Sequence, residues 1–175
     1  MYNNWVIVGP KKAKMEENFA SLEIRDIMKI IYDRKEKFIS RGDNSGTHMK
    51  ELSLWKQLAL VPEEFPKTWY LETGSGQGAT LMIANELEAF TITDTATWYS
   101  FKNKGGSEIV GYDNEDLNTY AITTVNPKKC KNIKSSAVEK IVTFLKSDNG
   151  KNSISKFRLN NACLLYTSDA ADEKR

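Results

Sequence analysis

The sequence predicts an α/β fold. Short apolar runs of strand character alternate with stretches whose apolar residues recur at helical spacing, and the junctions between them are rich in Gly, Ser, Thr and Asn. The 175 residues suffice for one ordinary domain or two small lobes that share a boundary. Neither an internal repeat nor a low-complexity tract interrupts the pattern.

Trp5 to Val8 reads as a buried strand, stopped by Gly9-Pro10 and followed by a lysine-rich connection. Ile24, Ile27, Met28 and Ile31 then fall at i, i+3, i+4 and i+7, one stripe of an amphipathic helix. Phe38-Ile39 suggests a short strand that delivers Ser40-Arg41. Beyond the turn at 42–46, Leu52, Trp55, Leu58 and Ala59 are spaced for a second helix ending near Pro62. Trp69-Tyr70-Leu71 is a short extended run. It leads into Gly74-Ser75-Gly76-Gln77-Gly78 and a third helix through Leu81, Ala84 and Leu87. Phe90 to Thr93 is strand-like, and Asp94 is placed to cap a short helix holding Trp98 and Phe101. From Gly105 to Asp116 the pattern loosens, and Tyr120 to Val125 reads as another strand before Asn126-Pro127. Val138, Ile141, Val142 and Leu145 mark a fourth helix, and a last segment runs from Asp148, as cap, to Phe157.

Composition excludes several function classes. The 25 basic and 23 acidic residues leave a net charge of +2, too little to argue for nucleic acid or an anionic membrane as partner. Any anion site must be local. Cys130 and Cys163 show neither metal-ligand nor redox spacing, and no apolar run approaches the roughly 20 residues that span a bilayer. No basic leader or small-residue cleavage site precedes Trp5, and the chain is expected to begin inside a longer gene product. The stretch from Cys163 to Glu173 resembles translated sequencing-adapter read-through, so residues 160–175 are set apart as a non-native tail.

Two loops carry the chemistry. In Ser40-Arg41-Gly42-Asp43-Asn44-Ser45-Gly46-Thr47 a glycine-containing turn opens directly into a helix, whose first N–H groups are unsatisfied and carry partial positive charge. Ser45 and Thr47 add hydroxyl donors, Gly46 admits close backbone approach, and Arg41 offers a planar guanidinium that can bond two oxygens of a tetrahedral oxyanion. The plainer alternative is that Ser45 or Thr47 only caps the helix and Arg41 is a solvated surface residue. The second loop, around Gly76 and Gly78, lacks the lysine of a phosphate-binding P-loop and the dinucleotide G-x-G-x-x-G spacing. Its glycines serve either to contact a ligand or to let the helix pack tightly on its strand. Arg41-Gly42-Asp43 as a cell-adhesion tripeptide is set aside, because three residues recur by chance. His48, the sole histidine, has no serine-elbow sequence near it, and Cys130 has no identifiable base. No catalytic constellation, resident metal site or cofactor is expected.

Taken together, these segments resemble a known family. Phe38 through Glu51 with Leu54-Trp55-Lys56, then Trp69 through Gly74, Gly76, Gly78-Ala79-Thr80-Leu81 and Ile83-Ala84-Asn85-Glu86, is similar to the substrate-binding proteins of tungstate ABC uptake systems. Met1-Tyr2-Asn3, Val6 to Lys11 and Thr91-Ile92-Thr93-Asp94 add to the match, which covers Met1 to about Leu159. The Arg-x-x-x-Ser-Gly-Thr portion is also similar to the oxyanion loop of phosphate receptors. One departure stands out: the family commonly has arginine after Thr-Asp, where this chain has Thr95, so that arginine's ion pair or ligand contact is in doubt here.

The resemblance implies a periplasmic-binding-protein-like fold of type II, with one nearly complete lobe and part of the other. Residues 1–10 would form a hinge strand, 11–115 the second lobe with the anion loop, and 116–159 a return to the first lobe, with Trp5–Val8 and Tyr120–Val125 as the two crossings. It also implies a non-enzymatic receptor, periplasmic or extracellular and membrane-associated, that captures tungstate or molybdate through Arg41, Ser45, Gly46, Thr47, Gly76 and Gly78. Its partners would be an ABC permease and the ATPase subunit, and the complete protein would be a monomer. Another oxyanion such as phosphate, or a non-transport interaction module, is the alternative. Since Arg41 and the hydroxyls do not titrate near neutrality, affinity is expected to be nearly flat from mildly acidic to mildly basic pH.

Overall fold

The computed structural model describes residues 1–16, 19–159 and 161–167. In chain order the elements are β1 (Tyr2–Pro10), α1 (Lys11–Glu16), α2 (Ile24–Arg34), β2 (Phe38–Ser40), α3 (Gly46–Gln57), β3 (Tyr70–Glu72) and α4 (Gln77–Glu86). There follow β4 (Thr91–Asp94), α5 (Thr95–Ser100), β5 (Ser107–Thr119), α6 (Ser135–Lys146), α7 (Asp148–Lys156), β6 (Arg158–Leu159) and β7 (Ala162–Cys163). Two compact units emerge, Asn4–Leu117 and a second made of Met1–Asn3 with the chain from Asn118 onward.

The unit Asn4–Leu117 is built on a mixed sheet. β2 and β3 are parallel, with Phe38 opposite Tyr70 and Ser40 opposite Glu72. Phe38 also forms a parallel bridge with Phe90, so β4 lies on the other side of β2. β4 then pairs antiparallel with β1, which lies between β4 and β5. Parallel neighbours require crossovers, and α3 and α4 occupy the connections from β2 to β3 and from β3 to β4.

The apolar stripe of α2 is entirely buried, and the helix stops where Lys35 adopts a left-handed conformation and returns its N–H to the carbonyls of Ile31 and Tyr32. Its core partners are mostly aromatic. Phe65 packs edge-on against Trp55 at 5.3 Å between ring centroids and tilts onto Trp69 at 4.9 Å. Phe38 stacks on Tyr70 and meets Trp55 edge-on.

Three expected elements differ. The buried face of α3 runs through Thr47, His48, Glu51, Leu54 and Trp55, whereas Leu52 is only half-buried and Ala59 is exposed, beyond the helix, with φ +56. Polar residues hold the inward positions at the start of this helix, so apolar spacing alone selects the wrong stripe. No strand forms at Tyr120–Val125; the strand beside β1 is β5, thirteen residues earlier at its start. Its run Asp113-Asn114-Glu115-Asp116 has poor strand propensity, but an edge strand needs only backbone pairing on one side, which β1 supplies. Finally, α7 is capped by Ser147, whose hydroxyl oxygen accepts the Gly150 N–H at 3.2 Å, one residue before the expected Asp148.

In the other unit α6 and α7 pack as a pair, and β6 and β7 form a short hairpin. Tyr2 and Tyr166 exchange two backbone hydrogen bonds, of 2.9 and 2.8 Å, within this unit. Residues 168–175 of the expected tail lie outside the described residues. No residue of α6 is buried, and Ile141 and Phe144 are 58% and 51% exposed on its apolar stripe. Among the described residues, no helix is long and apolar enough to cross a membrane.

Gly111 on β5 faces the end of a buried side chain: a Cβ there would lie 2.1 Å from Ile27 Cδ1, which would have to move within the core. Gly111→Ala is expected to destabilise the protein by about 1–3 kcal/mol in urea unfolding. Adding Ile27→Val, which removes that methyl, should recover part of the loss.

Candidate functional site

The loop after β2 is shaped by two left-handed residues, Gly42 at φ +61 and Asn44 at φ +56. Gly42 is obligatory: besides its conformation, a Cβ would stand 2.9 Å from Glu72 Cβ on the neighbouring strand. Asp43 closes the turn by accepting the Ser45 N–H at 3.2 Å through Oδ1, and Asn44 donates its N–H to His48 Nδ1 at 3.1 Å. That bond makes Nδ1 an acceptor, so His48 in this arrangement is a structural tie and not a base aimed at a ligand. Ser45 is the N-cap of α3, its oxygen accepting the His48 N–H at 3.3 Å.

Arg41 joins this loop to the next. Its side chain is only 17% exposed, which rules out a solvated surface role. Nη2 pairs with Asp43 Oδ2 at 2.5 Å, while Nη1 lies 3.5 Å from both Thr47 Oγ1 on α3 and Gln77 Oε1 on α4. Nε is buried and has no hydrogen-bond partner among the described residues. Gln77 is itself held by its amide, which donates to the Ile92 carbonyl of β4 at 3.0 Å. One guanidinium therefore touches the first turn of two helices.

The second loop is tied to the first from below. Thr73 N–H bonds the Ser40 carbonyl at 3.0 Å, and the Thr73 hydroxyl lies 3.4 Å from the Arg41 carbonyl and 3.0 Å from the Thr80 hydroxyl. Gly76 stands at the N-cap of α4 and offers no side-chain cap, leaving first-turn N–H groups without that partner. A Cβ added at Gly46, Gly76 or Gly78 would meet nothing within 4 Å. Tight packing of helix on strand therefore does not explain these glycines; each presents bare backbone to open space.

The electrostatics of the loop centre on the Arg41–Asp43 ion pair. Asp43 is the carboxylate closest to the donors, and its pKa falls to about 2, first through hydrogen bonding from Ser45 and then through Arg41. It remains ionised, and each oxygen already accepts a hydrogen bond, Oδ1 from the Ser45 N–H and Oδ2 from Arg41. Ser45 is correspondingly committed to the cap and to Asp43, so of the expected donors it is the one least available. The site thus unites Arg41 and Thr47 with the first turn of α4, where Gly76 and Gly78 flank Gln77. Gln77 escaped the residue-level reading, although its position at the first helical residue after a glycine cap was visible in the chain. Thr95, in place of the family's arginine, accepts the Asn4 N–H at 3.3 Å, and Asp94 caps α5 by accepting from the Thr97 N–H and hydroxyl.

A family model described as the PBP superfamily domain matches residues 1–149. Tungstate-binding protein TupA of Campylobacter jejuni is 35% identical over 99% of this chain and 65% of its own length. Among solved structures, the tungstate-binding protein TupA from Desulfovibrio alaskensis G20 superposes with a TM-score of 0.79 at 31% identity, covering 95% of this chain and 67% of its own. The tungstate ABC transporter structure from Geobacter sulfurreducens gives a TM-score of 0.76 at 36% identity, with 90% and 66% covered. The chain spans 65% of the length of the Campylobacter relative. It belongs to the PBP superfamily, a family of binding proteins and not of enzymes, and within it is a homologue of the TupA tungstate-binding proteins.

Proposed function

We propose that this chain supplies one lobe of an extracytoplasmic receptor that captures tungstate or molybdate for ABC-type uptake. The observation that carries the reading is the placement of Arg41 Nη1 3.5 Å from Thr47 and from Gln77, which gathers a guanidinium, a hydroxyl and two helix starts on one open face. Such a face presents donors, and a tetrahedral oxyanion without protons presents only acceptors. Arg41, Thr47, Gly46, Gly76 and Gly78 would contact the anion directly, and Gln77 would orient Arg41. Ser45 would shape the loop. A second lobe in the longer protein would close the remaining side, and an ABC permease with its ATPase would receive the loaded, monomeric receptor. The tungstate-binding names of the relatives support the choice of anion.

Selectivity follows from the way the nearest carboxylate is engaged. Phosphate keeps at least one proton near neutral pH and gains from a carboxylate that can receive it, but Asp43 is already bonded to Arg41 and Ser45. The two-lobed receptor should therefore bind tungstate and molybdate in large preference to phosphate at pH about 7.5, as read by calorimetric titration. Equal affinity for phosphate would move the protein to a phosphate-receptor assignment.

Arg41→Ala should weaken tungstate binding by about 100-fold, near 3 kcal/mol. Arg41→Lys, which keeps the charge but loses the planar fork, should cost about tenfold. Unchanged affinity in both variants would remove Arg41 from the site. The glycines give an independent check. Gly78→Ala lies in a helix with open space beside it, so thermal stability should hold or rise by up to about 1 kcal/mol. The same methyl should weaken anion binding, a combination that a purely structural glycine would not produce.

A further inference from the structure

Behind the anion loop lies a carboxyl group that takes no part in the contacts described so far. Glu51 sits one helical turn beyond Thr47 on α3 and is fully buried. Its Oε1 accepts two hydrogen bonds, from Tyr70 Oη at 2.7 Å and from Trp55 Nε1 at 3.2 Å. Its Oε2 is buried and has no hydrogen-bond partner among the described residues. The Ser40 hydroxyl acts on the same carboxyl and also accepts the Gly42 N–H at 3.3 Å, so Glu51 is linked to the residues on both sides of Arg41.

The charges around Glu51 do not compensate it. On its own helix, Lys50 is engaged by Asp113 and Asp116 at 2.6 and 2.8 Å, and His48 is tied to the Asn44 N–H. β3 contributes the Tyr70 hydroxyl and the anionic Glu72, which pairs with Lys67. β2 contributes Ser40 and leads to Arg41, whose salt bridge is to Asp43. The buried face of α2 is Ile24, Ile27, Met28 and Ile31, and β4 ends in Asp94, the cap of α5. A carboxylate surrounded by neutral donors and a second carboxylate, with one oxygen unsolvated, is strongly disfavoured against its neutral form. With Oε1 accepting two hydrogen bonds, Oε2 is the oxygen open to a proton.

We propose that Glu51 is a positioning residue for the anion loop and makes anion binding proton-linked: its neutral form favours the bound oxyanion, and its ionised form opposes it. The inference rests on the oxyanion reading of the loop. The mechanism is electrostatic repulsion through a low-dielectric core between a carboxylate at Glu51 and a dianion at Arg41 and Thr47, together with loosening of the Ser40–Gly42 tie when the carboxyl changes state. Burial pushes the Glu51 pKa up to about 7, against the hydrogen bonds of Tyr70, Ser40 and Trp55, so the change falls within the physiological range. The sign is the reverse of an ion-paired carboxylate. Stability from the protonated group is complete below the unfolded value of 4.5 and is lost as pH rises towards 7. Reciprocally, an arriving dianion draws a proton from solvent onto Glu51. Direct contacts that do not titrate would give a flat profile; the dependence enters from behind them.

The test uses the full-length two-lobed protein with micromolar sodium tungstate. Calorimetry should show affinity about tenfold weaker at pH about 8.5 than at pH about 6.5, and net proton uptake at pH about 7.5 when two buffers of different ionisation enthalpy are compared. Glu51→Gln should bind with a flat pH profile near the wild-type low-pH affinity. In ligand-free protein, tryptophan emission should carry a step between pH about 6 and 8 that survives His48→Asn and disappears in Glu51→Gln, because Trp55 donates to this carboxyl. Tungstate binding with no proton uptake and no pH dependence overturns the proposal while leaving the anion reading intact. Failure to bind tungstate at any pH overturns both. If Glu51→Gln does not fold, the wild-type proton uptake alone decides.

Discussion

Phe38–Ser40 and Tyr70–Glu72 run side by side in the same direction, so the chain must leave both at one edge of the sheet and enter a helix there each time. With Ser40 opposite Glu72, the two exits are level, and the Thr73 N–H can bond the Ser40 carbonyl across them. The first turns of α3 and α4 then come within reach of a single side chain, and Arg41 is long enough to meet both. Ligand sites of open α/β sheets collect at the carboxyl ends of the strands for this reason. Slipping the register by one residue would turn Ser40 and Tyr70 from the core and separate the two helix starts.

Much of this could be read from the residues. Ile24, Ile27, Met28 and Ile31 announce α2 because that helix buries a stripe that is wholly apolar. α3 is harder, since Thr47, His48, Lys50 and Glu51 occupy buried positions and hydrophobic spacing has no term for a polar side chain that faces inward. β5 was hidden for a related reason: Asp113 and Asp116 of its acidic run are held by Lys50 of α3, a partner that strand propensity does not see. For the site, the Arg41 to Thr47 loop is local and legible. Gln77 and Glu51 become meaningful only when strand pairing brings distant segments together, which a linear pattern does not encode.

The charged groups of this unit fall into two kinds. Asp43, set in a turn and paired with Arg41, is held ionised and acts as a brace for the guanidinium. Lys50 and Asp113, both nearly enclosed, form an ion pair that joins α3 to β5; burial works against the lysine's charge, but the two aspartates outweigh it and raise its pKa. Asp113 also accepts the N–H groups of Glu115 and Asp116, so its charge is shared with the strand backbone. Removing one partner of such a pair costs far more than the pair contributes, because the other is left buried and alone. Arg41, by contrast, keeps a buried Nε without an acceptor among the described residues.

The strand β1 opens the chain, and β5 returns beside it: Lys11 N bonds Gly106 O at one end and Tyr120 N bonds Met1 O at the other. Asn3 and Asn118, the residues just outside the Asn4–Leu117 unit, are joined through their side chains at 2.8 Å. The unit therefore begins and finishes at one point, as a parenthesis does in a sentence. Chain ends that lie this close are what circular permutation and domain insertion generally require. The unit also carries its own core, so it can reach its native packing while the flanking sequence is still being synthesised.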